Sequence, residues 1–235
     1  MSSDFRCCAV IAAAGASLRM NLKTSKQFIP LLGVPAIART LLAFEQAEKI
    51  SEAVIVCRAE DCEQMKMLVR GCGAKKVRAV TVGGETRQKS VAVGIEALPP
   101  ECTFVAVHDG ARPLVRPEEI DACAVDAARC GAAALAVPVK DTIKVADGGG
   151  FIASTPERSH LWAVQTPQIF SLSLYRKALQ KAEADGMDYT DDCQLLEHAG
   201  VKVHLCCGNY ENIKLTTPDD VTAAEAILRR REESF

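Results

Sequence analysis

A chain of 235 residues with 49% hydrophobic and 25% charged side chains has the balance of an ordinary globular protein. A formal net charge of −2 excludes the overall basic field of a nucleic-acid binder, so any anion site must be built from local bases. No apolar run approaches the roughly 18–20 residues that span a bilayer, and "MSSDFRCC" lacks a basic segment leading into an apolar one. These features predict no membrane or nucleic-acid partner and a cytoplasmic chain.

The elements are taken in chain order. The run "CCAVIAA" reads as a buried first strand and feeds the loop "AGASLRMNLKTSKQF". Ala13, Ala14 and Gly15 let a ligand approach the backbone closely, and free N–H groups there can cradle phosphate oxygens. Arg19 and Lys26 would add charge, the first as a planar fork and the second as a point cation. The loop fits neither G-x-x-x-x-G-K-[ST] nor G-x-G-x-x-G. The bland alternative is a solvated loop with incidental bases.

Further strands are expected at "AVIVC" from Ala53, "VRAVTV" from Val77, "TFVAVH" from Thr103 and "AAALAVPV" from Ala132. Helices are expected between them, at about 35–48, 60–71, 87–98 and 117–130. Strands this continuously apolar are buried on both faces, which predicts a doubly wound, mostly parallel α/β sheet. Ligands of such sheets bind beyond the carboxyl ends of the strands.

Two polar clusters fall at those ends. In "GGETRQKSV" a glycine pair turns the chain and Ser90 opens a helix, which suits either a ligand loop or a plain capped turn. In "VHDGARP" Asp109 ends the fourth strand and is the candidate to lie near Mg²⁺, directly or through other groups. That ion is typically held by one or two carboxylates plus substrate phosphates. His108 beside it is read as structural, because imidazole is a poor Mg²⁺ ligand.

The alternation stops after Val139. The segment from Lys140 to Phe170 has no helical period and contains Gly148-Gly149-Gly150 between β-prone residues, which predicts a projecting hairpin arm at about 139–163. Helices follow near 171–184 and 190–199, then a strand "KVHLCC" and a last helix from about Pro218 to Arg231. Lys214 is placed on a short β run before Thr216-Thr217-Pro218. It suits a ligand contact or simple solvation. With no internal repeat and no linker, residues 1–235 read as one domain with one excursion.

Eleven cysteines form no C-x-x-C pair and sit mostly in apolar runs, which predicts reduced thiols acting as small hydrophobes. The four histidines form no H-E-x-x-H, and no G-x-S-x-G elbow is present.

Seven motifs in order, "AAAGASLRM…SKQFIPLLGVP", "GGETRQKSV", "VHDGARPLV", "VPVKDTIK", "LWAVQTPQIF", "YTDD" and "NIKLTTPDD", resemble those of the 2-C-methyl-D-erythritol 4-phosphate cytidylyltransferase family over nearly the whole chain. Small departures occur at Ala12 and Ser17, where many members carry proline and glycine, and at Glu85, where some carry aspartate.

The resemblance implies a Rossmann-like nucleotidyltransferase sheet with a β-arm, CTP and a polyol phosphate as substrates, Mg²⁺, and a homodimer joined through the arm. It implies that Arg19 and Lys26 clamp the triphosphate and that Ala13, Ala14 and Gly15 lie under the nucleotide. Gly84, Glu85 and Ser90 would read base and ribose, with Asp109 by the ribose and metal. Lys214 would neutralise the α-phosphate, and Arg112, Thr142, Arg158 and Thr166 would form the acceptor pocket. A relative acting on ribitol 5-phosphate would share most of these features. A nucleotide-binding regulatory protein without activity is the alternative of another class.

Overall fold

The computed structural model describes residues 5–15 and 25–233. In chain order the elements are β1 (Cys7–Ala13), a small hairpin of β2 (Pro30–Leu31) and β3 (Val34–Pro35), α1 (Ala36–Gln46), β4 (Ile50–Cys57), α2 (Cys62–Cys72) and β5 (Val77–Val82). There follow α3 (Arg87–Glu96), β6 (Phe104–Asp109), α4 (Pro117–Cys130), β7 (Ala132–Pro138), β8 (Val145–Ala146), β9 (Ile152–Ser154) and β10 (Trp162–Ser171). The last elements are α5 (Leu172–Ala184), α6 (Asp192–His198), β11 (His204–Cys207) and α7 (Pro218–Glu233).

Seven strands form the central sheet in the order β11-β7-β10-β6-β1-β4-β5. All run parallel except β10, which is antiparallel to both of its neighbours. The doubly wound fold is therefore as expected, with one reversed strand.

Strand periodicity explains the layering. Ala9, Ile11 and Ala13 of β1 join Ile55 of β4 and pack against α1, α2 and α4 through Leu41, Phe44, Met65 and Ile120. The alternate residues Cys8, Val10, Val54 and Val56 face α3, α5 and α6 through Val91, Ile95, Tyr175 and Leu196. Both faces are covered, so the runs are apolar throughout. A Cβ at Gly94 would meet Val10 Cγ1 at 2.5 Å, so only glycine lets α3 lie this close to the sheet.

Helix α4 has the expected bounds because its signals are strong: Pro117 at the first turn and Gly131 at its end, with φ of +83°. A strand that was not among those expected forms at "LWAVQTPQIF", where β10 enters the central sheet. Its register shifts between Val164 and Gln168, which accommodates Pro167, a residue without an N–H to donate to the ladder. Lys214 lies on no strand of the sheet; its segment is irregular and held by Leu215 N–H donating to the Ala111 carbonyl at 2.8 Å.

The hairpin of β8 and β9 does project. Its roots close where Val139 N–H donates to the Leu161 carbonyl at 3.0 Å, and its turn is tied by the Asp147 carboxylate, which accepts from Gly149 and Phe151. Val145, Phe151 and Ile152 on it are exposed.

Candidate active site

The chain runs outward through β1, β4 and β5, then returns to place β6 on the other side of β1. That reversal is the topological switch point, where side chains at the strand ends face an open crevice. Ala12 and Asp109 are register partners there. A cavity of about 270 Å³ opens over them, lined by Ala12, Ala14, Gly15, Lys26, Gly84 and Asp109 among others. A second, of about 190 Å³, adjoins it through Arg87, Asp109 and Lys214 and is walled by Arg112, Gln165 and Thr166.

Close approach of two loops shapes the first cavity. A Cβ on Gly83 would stand 2.7 Å from Ser90 Oγ and 2.8 Å from Ala14 Cβ, so the loop after β5 fits against the loop after β1 only without a side chain. Ser90, buried, donates to the Gly84 carbonyl at 3.2 Å. Glu85 stands exposed at the rim, paired with Lys89 at 2.7 Å, and that hydrogen bond holds its carboxyl below the usual range. Gln27 donates to the Ala13 carbonyl and is buried, which sets Lys26 at the cavity wall.

Asp109 is the centre of charge. Its Oδ2 lies 2.8 Å from Lys214 Nζ and 3.8 Å from Arg112 Nε, and its Oδ1 lies 3.6 Å from Arg87 Nε. Burial alone would raise the Asp109 carboxyl. Lys214 and then Arg87 outweigh it, with Arg112 adding to them, and hold it well below the carboxylate range. Three cations thus converge on this one acid, a local cluster suited to phosphates.

A hydrogen-bond chain fixes the neighbouring strand. Asp109 N–H donates to Thr166 Oγ1 at 3.0 Å, and Thr166 Oγ1 lies 3.1 Å from His108 Nδ1. His108 Nε2 lies 3.3 Å from the Arg112 carbonyl. With the threonine hydroxyl donating onward, the tautomer that satisfies the chain carries its proton on Nε2. Burial pushes the imidazole down to about 3, so it is neutral and structural, as its sequence context indicates.

Several members were not singled out from sequence. Arg87 reaches past Asp109 to Asp192, with Nη1 2.6 Å from Oδ2, and Tyr175 donates to the other oxygen of Asp192 at 2.6 Å. Burial raises the Asp192 carboxyl, with Arg87 opposing. Asn212, fully buried, donates to the Thr166 carbonyl at 2.9 Å, while its own carbonyl accepts from Arg112 Nη1 at 2.8 Å. Arg87 and Asp192 sit within motifs already singled out, but nothing in spacing reveals that they pair.

Of the expected residues, Lys26, Ala14, Gly15, Gly84, Glu85, Ser90, Asp109 and Lys214 line the first cavity, and Arg112 and Thr166 line the second. Ala13 is in the core instead, with its side chain in the sheet's packed layer, and Ala12 takes a place in the lining. Arg19 lies outside the described residues. Thr142 and Arg158 are exposed on the arm and line neither cavity; Arg158 Nη1 donates to the Lys140 carbonyl at 3.1 Å.

No group of three or more His, Cys, Asp or Glu side chains among the described residues could hold a metal. All eleven cysteines are free thiols. No helix among the described residues is long and apolar enough to cross a membrane.

A doubly wound sheet with phosphate-seeking cations converging on one strand-end acid defines an α/β protein of the nucleotidyltransferase class. The sequence model of the 2-C-methyl-D-erythritol 4-phosphate cytidylyltransferase family matches residues 7–230, and the chain belongs to that family. A relative of that name from Desulforamulus reducens is 46% identical over 224 residues, 95% of this chain and 96% of that protein. One from Pelotomaculum thermopropionicum is 44% identical, covering 95% and 94%. The solved structure of 4-diphosphocytidyl-2C-methyl-D-erythritol synthase from Anaerococcus prevotii matches with a TM-score of 0.86 at 30% identity, covering 97% of this chain and 100% of that one.

Proposed function

We propose that the chain transfers CMP from CTP to 2-C-methyl-D-erythritol 4-phosphate, giving 4-diphosphocytidyl-2-C-methyl-D-erythritol and pyrophosphate in the non-mevalonate isoprenoid pathway. The observation that carries this reading is Asp109 held between Lys214, Arg87 and Arg112 where two cavities meet. The family and the relatives' names supply the substrates and favour methylerythritol phosphate over ribitol 5-phosphate.

In this reading the nucleotide occupies the cavity over Ala14, Gly15, Gly84, Glu85 and Ser90. The acceptor phosphate occupies the adjoining one, by Arg112 and Thr166. A phosphate oxygen of the acceptor attacks the α-phosphorus; the bond from that phosphorus to the β-phosphate oxygen breaks and pyrophosphate leaves. A phosphate dianion needs no strong base. The nearest imidazole, His108, is buried with both ring nitrogens engaged, and could not serve as one. Catalysis is then positioning and charge neutralisation. Lys26 and Arg19 steady the departing pyrophosphate, and Lys214 meets the charge on the α-phosphate.

With no group of three or more His, Cys, Asp or Glu ligands among the described residues, the site suits a Mg²⁺ ion carried mainly by triphosphate oxygens, with Asp109 beside it, and not an all-protein cage. When bound, the ion would neutralise phosphate charge.

The exposed apolar arm supports a homodimer in which Thr142 and Arg158 of one chain reach the acceptor cavity of the other. Residues 1–235 would then act as one cytoplasmic domain with its arm shared between protomers. Pyrophosphate release from CTP, with methylerythritol phosphate and ribitol phosphate offered in turn, tests the assignment. Comparable turnover of ATP would sink it, because a site that hydrogen-bonds one base rejects an analogue lacking the matching groups.

A further inference from the structure

Two residues in capping positions leave their own helices uncapped and bind each other. Asp61 precedes α2, where an acid ordinarily accepts from the first turn's N–H groups; its side chain makes no such bond. Ser25 precedes the 3₁₀ turn Lys26–Phe28 and makes no cap bond either. Instead Ser25 Oγ donates to Asp61 Oδ2 at 2.6 Å, buried, across 36 residues of sequence. Arg58 completes the cluster. Its Nε donates to the same Asp61 oxygen at 2.9 Å, its Nη2 donates to Ser25 Oγ, and its Nη1 pairs with Glu60 at 3.0 Å.

The cluster connects to the cavity through Ser25. Ser25 is followed by Lys26, and Lys26 by Gln27, which is buried and bound to the Ala13 carbonyl at the end of β1. Phe28 N–H donates back to the Ser25 carbonyl at 3.0 Å. Lys26 is thus flanked by one residue anchored to the end of β4 and another anchored to the end of β1. Fixing the backbone at both sides sets the point and direction from which the Lys26 side chain leaves the chain toward the cavity.

We propose that Asp61, with Arg58, is a positioning residue for Lys26: it holds Ser25, and through Ser25 it sets where the Lys26 ammonium stands in the nucleotide cavity. The proposal rests on the reading of Lys26 as a triphosphate contact. Asp61 touches no substrate in it. Its effect runs through Lys26 alone, so it belongs in the turnover number and not in acceptor binding.

A double-mutant cycle gives the test, with Asp61→Ala, Ser25→Ala and Lys26→Ala made singly and in pairs in the full chain. Ser25→Ala cuts the same link without touching the start of α2, and covers the case in which Asp61→Ala does not fold. The expected result is a roughly ten-fold fall in kcat for either variant, with the acceptor KM unchanged, as for a displaced catalytic group. In the Lys26→Ala background neither change should lower kcat further, within about twofold. A second readout does not depend on activity: the rate of acetylation of Lys26 by acetic anhydride, measured by mass spectrometry against exposed Lys89. That ratio should change in both variants. Losses that multiply with Lys26→Ala, or an unchanged Lys26 ratio in a folded variant, overturn the proposal. Normal turnover of Lys26→Ala alone would instead remove the triphosphate reading, and the acetylation ratio would still decide whether Asp61 holds Lys26.

Discussion

Lys214 and Asp109 form a 2.8 Å ion pair that joins the segment before the last helix to the end of the sheet's central strand. The lysine is about two-fifths exposed while the acid is buried, so the pair presents its positive member to the cavity. Replacing Lys214 with alanine removes charge that matters most as the α-phosphate is attacked. The turnover number should fall by about 10² or more, with little change in fold, as when an oxyanion donor is lost. Lys26→Ala should behave alike. Near-normal kcat in either variant would return that lysine to simple solvation.

The buried pair behind the site predicts a different outcome. Asp192 is almost fully enclosed and answers Arg87, with Tyr175 on its other oxygen. Asp192→Ala leaves Arg87 only its longer contact to Asp109, at 3.6 Å, and breaking a buried pair costs up to about 3–5 kcal/mol. Urea unfolding should show that drop, while Tyr175→Phe, which forfeits one hydrogen bond to a charged group, should cost about 1.5–3 kcal/mol. Equal midpoints for Asp192→Ala and the parent chain would mean that Asp109 alone satisfies Arg87.

His108 makes stability depend on pH. Its folded value, about 3, lies below the unfolded value near 6.5, so the unfolded chain takes up a proton that the folded one refuses. The stability linked to it is whole above about pH 6.5 and drains away as pH falls toward about 3, at up to about 1.4 kcal/mol per pH unit. Asp109 is depressed as well, but its contribution is lost only below about pH 3.9, under the pH 7 to 5 range of the measurement. Urea midpoints from pH 7 to 5 should fall by the equivalent of about 2 kcal/mol in the parent and less in His108→Asn. Parallel slopes would assign the dependence to other groups.

The arm makes a prediction about assembly. Phe151 is 75% exposed at its tip, beside exposed Ile152. Phe151→Ser should weaken a dimer, seen by sedimentation, without lowering the unfolding midpoint of the protomer. Mixing Arg158→Ala with Lys26→Ala chains, each nearly inactive alone, should restore part of the activity if one site draws on both subunits. Verified heterodimers with no recovery would argue against shared sites.

Strands β1, β4, β6 and β7 could be read from the residues because burial on both faces writes itself as apolar runs, and α4 because Pro117 and Gly131 bracket it; β2 and β3, two residues each, carry no such signal. Strand β10 could not. Its Gln165, Thr166, Pro167 and Gln168 interrupt every local strand pattern: Gln165, Thr166 and Gln168 line the crevice, and pairing with both neighbouring strands resumes only at Gln168. The site divides the same way. Asp109 and Lys214 stand out as charges at element ends. Asn212, Gln27 and the Arg87–Asp192 pair act through partners far along the chain, and no local period encodes such a meeting.

The reversed strand has a consequence for how the chain acquires its shape. Strands β6 and β7 follow one another in sequence but are not neighbours; β10 must enter between them. Until residue 171 has been synthesised, β7 has no partner on that side and β6 has an open edge, and β11, which closes the other side of β7, comes later still. The half-made sheet therefore exposes apolar, hydrogen-bond-hungry borders during synthesis, which is when edge pairing with another chain is most dangerous. Assembly of this sheet is governed by the arrival of one late strand.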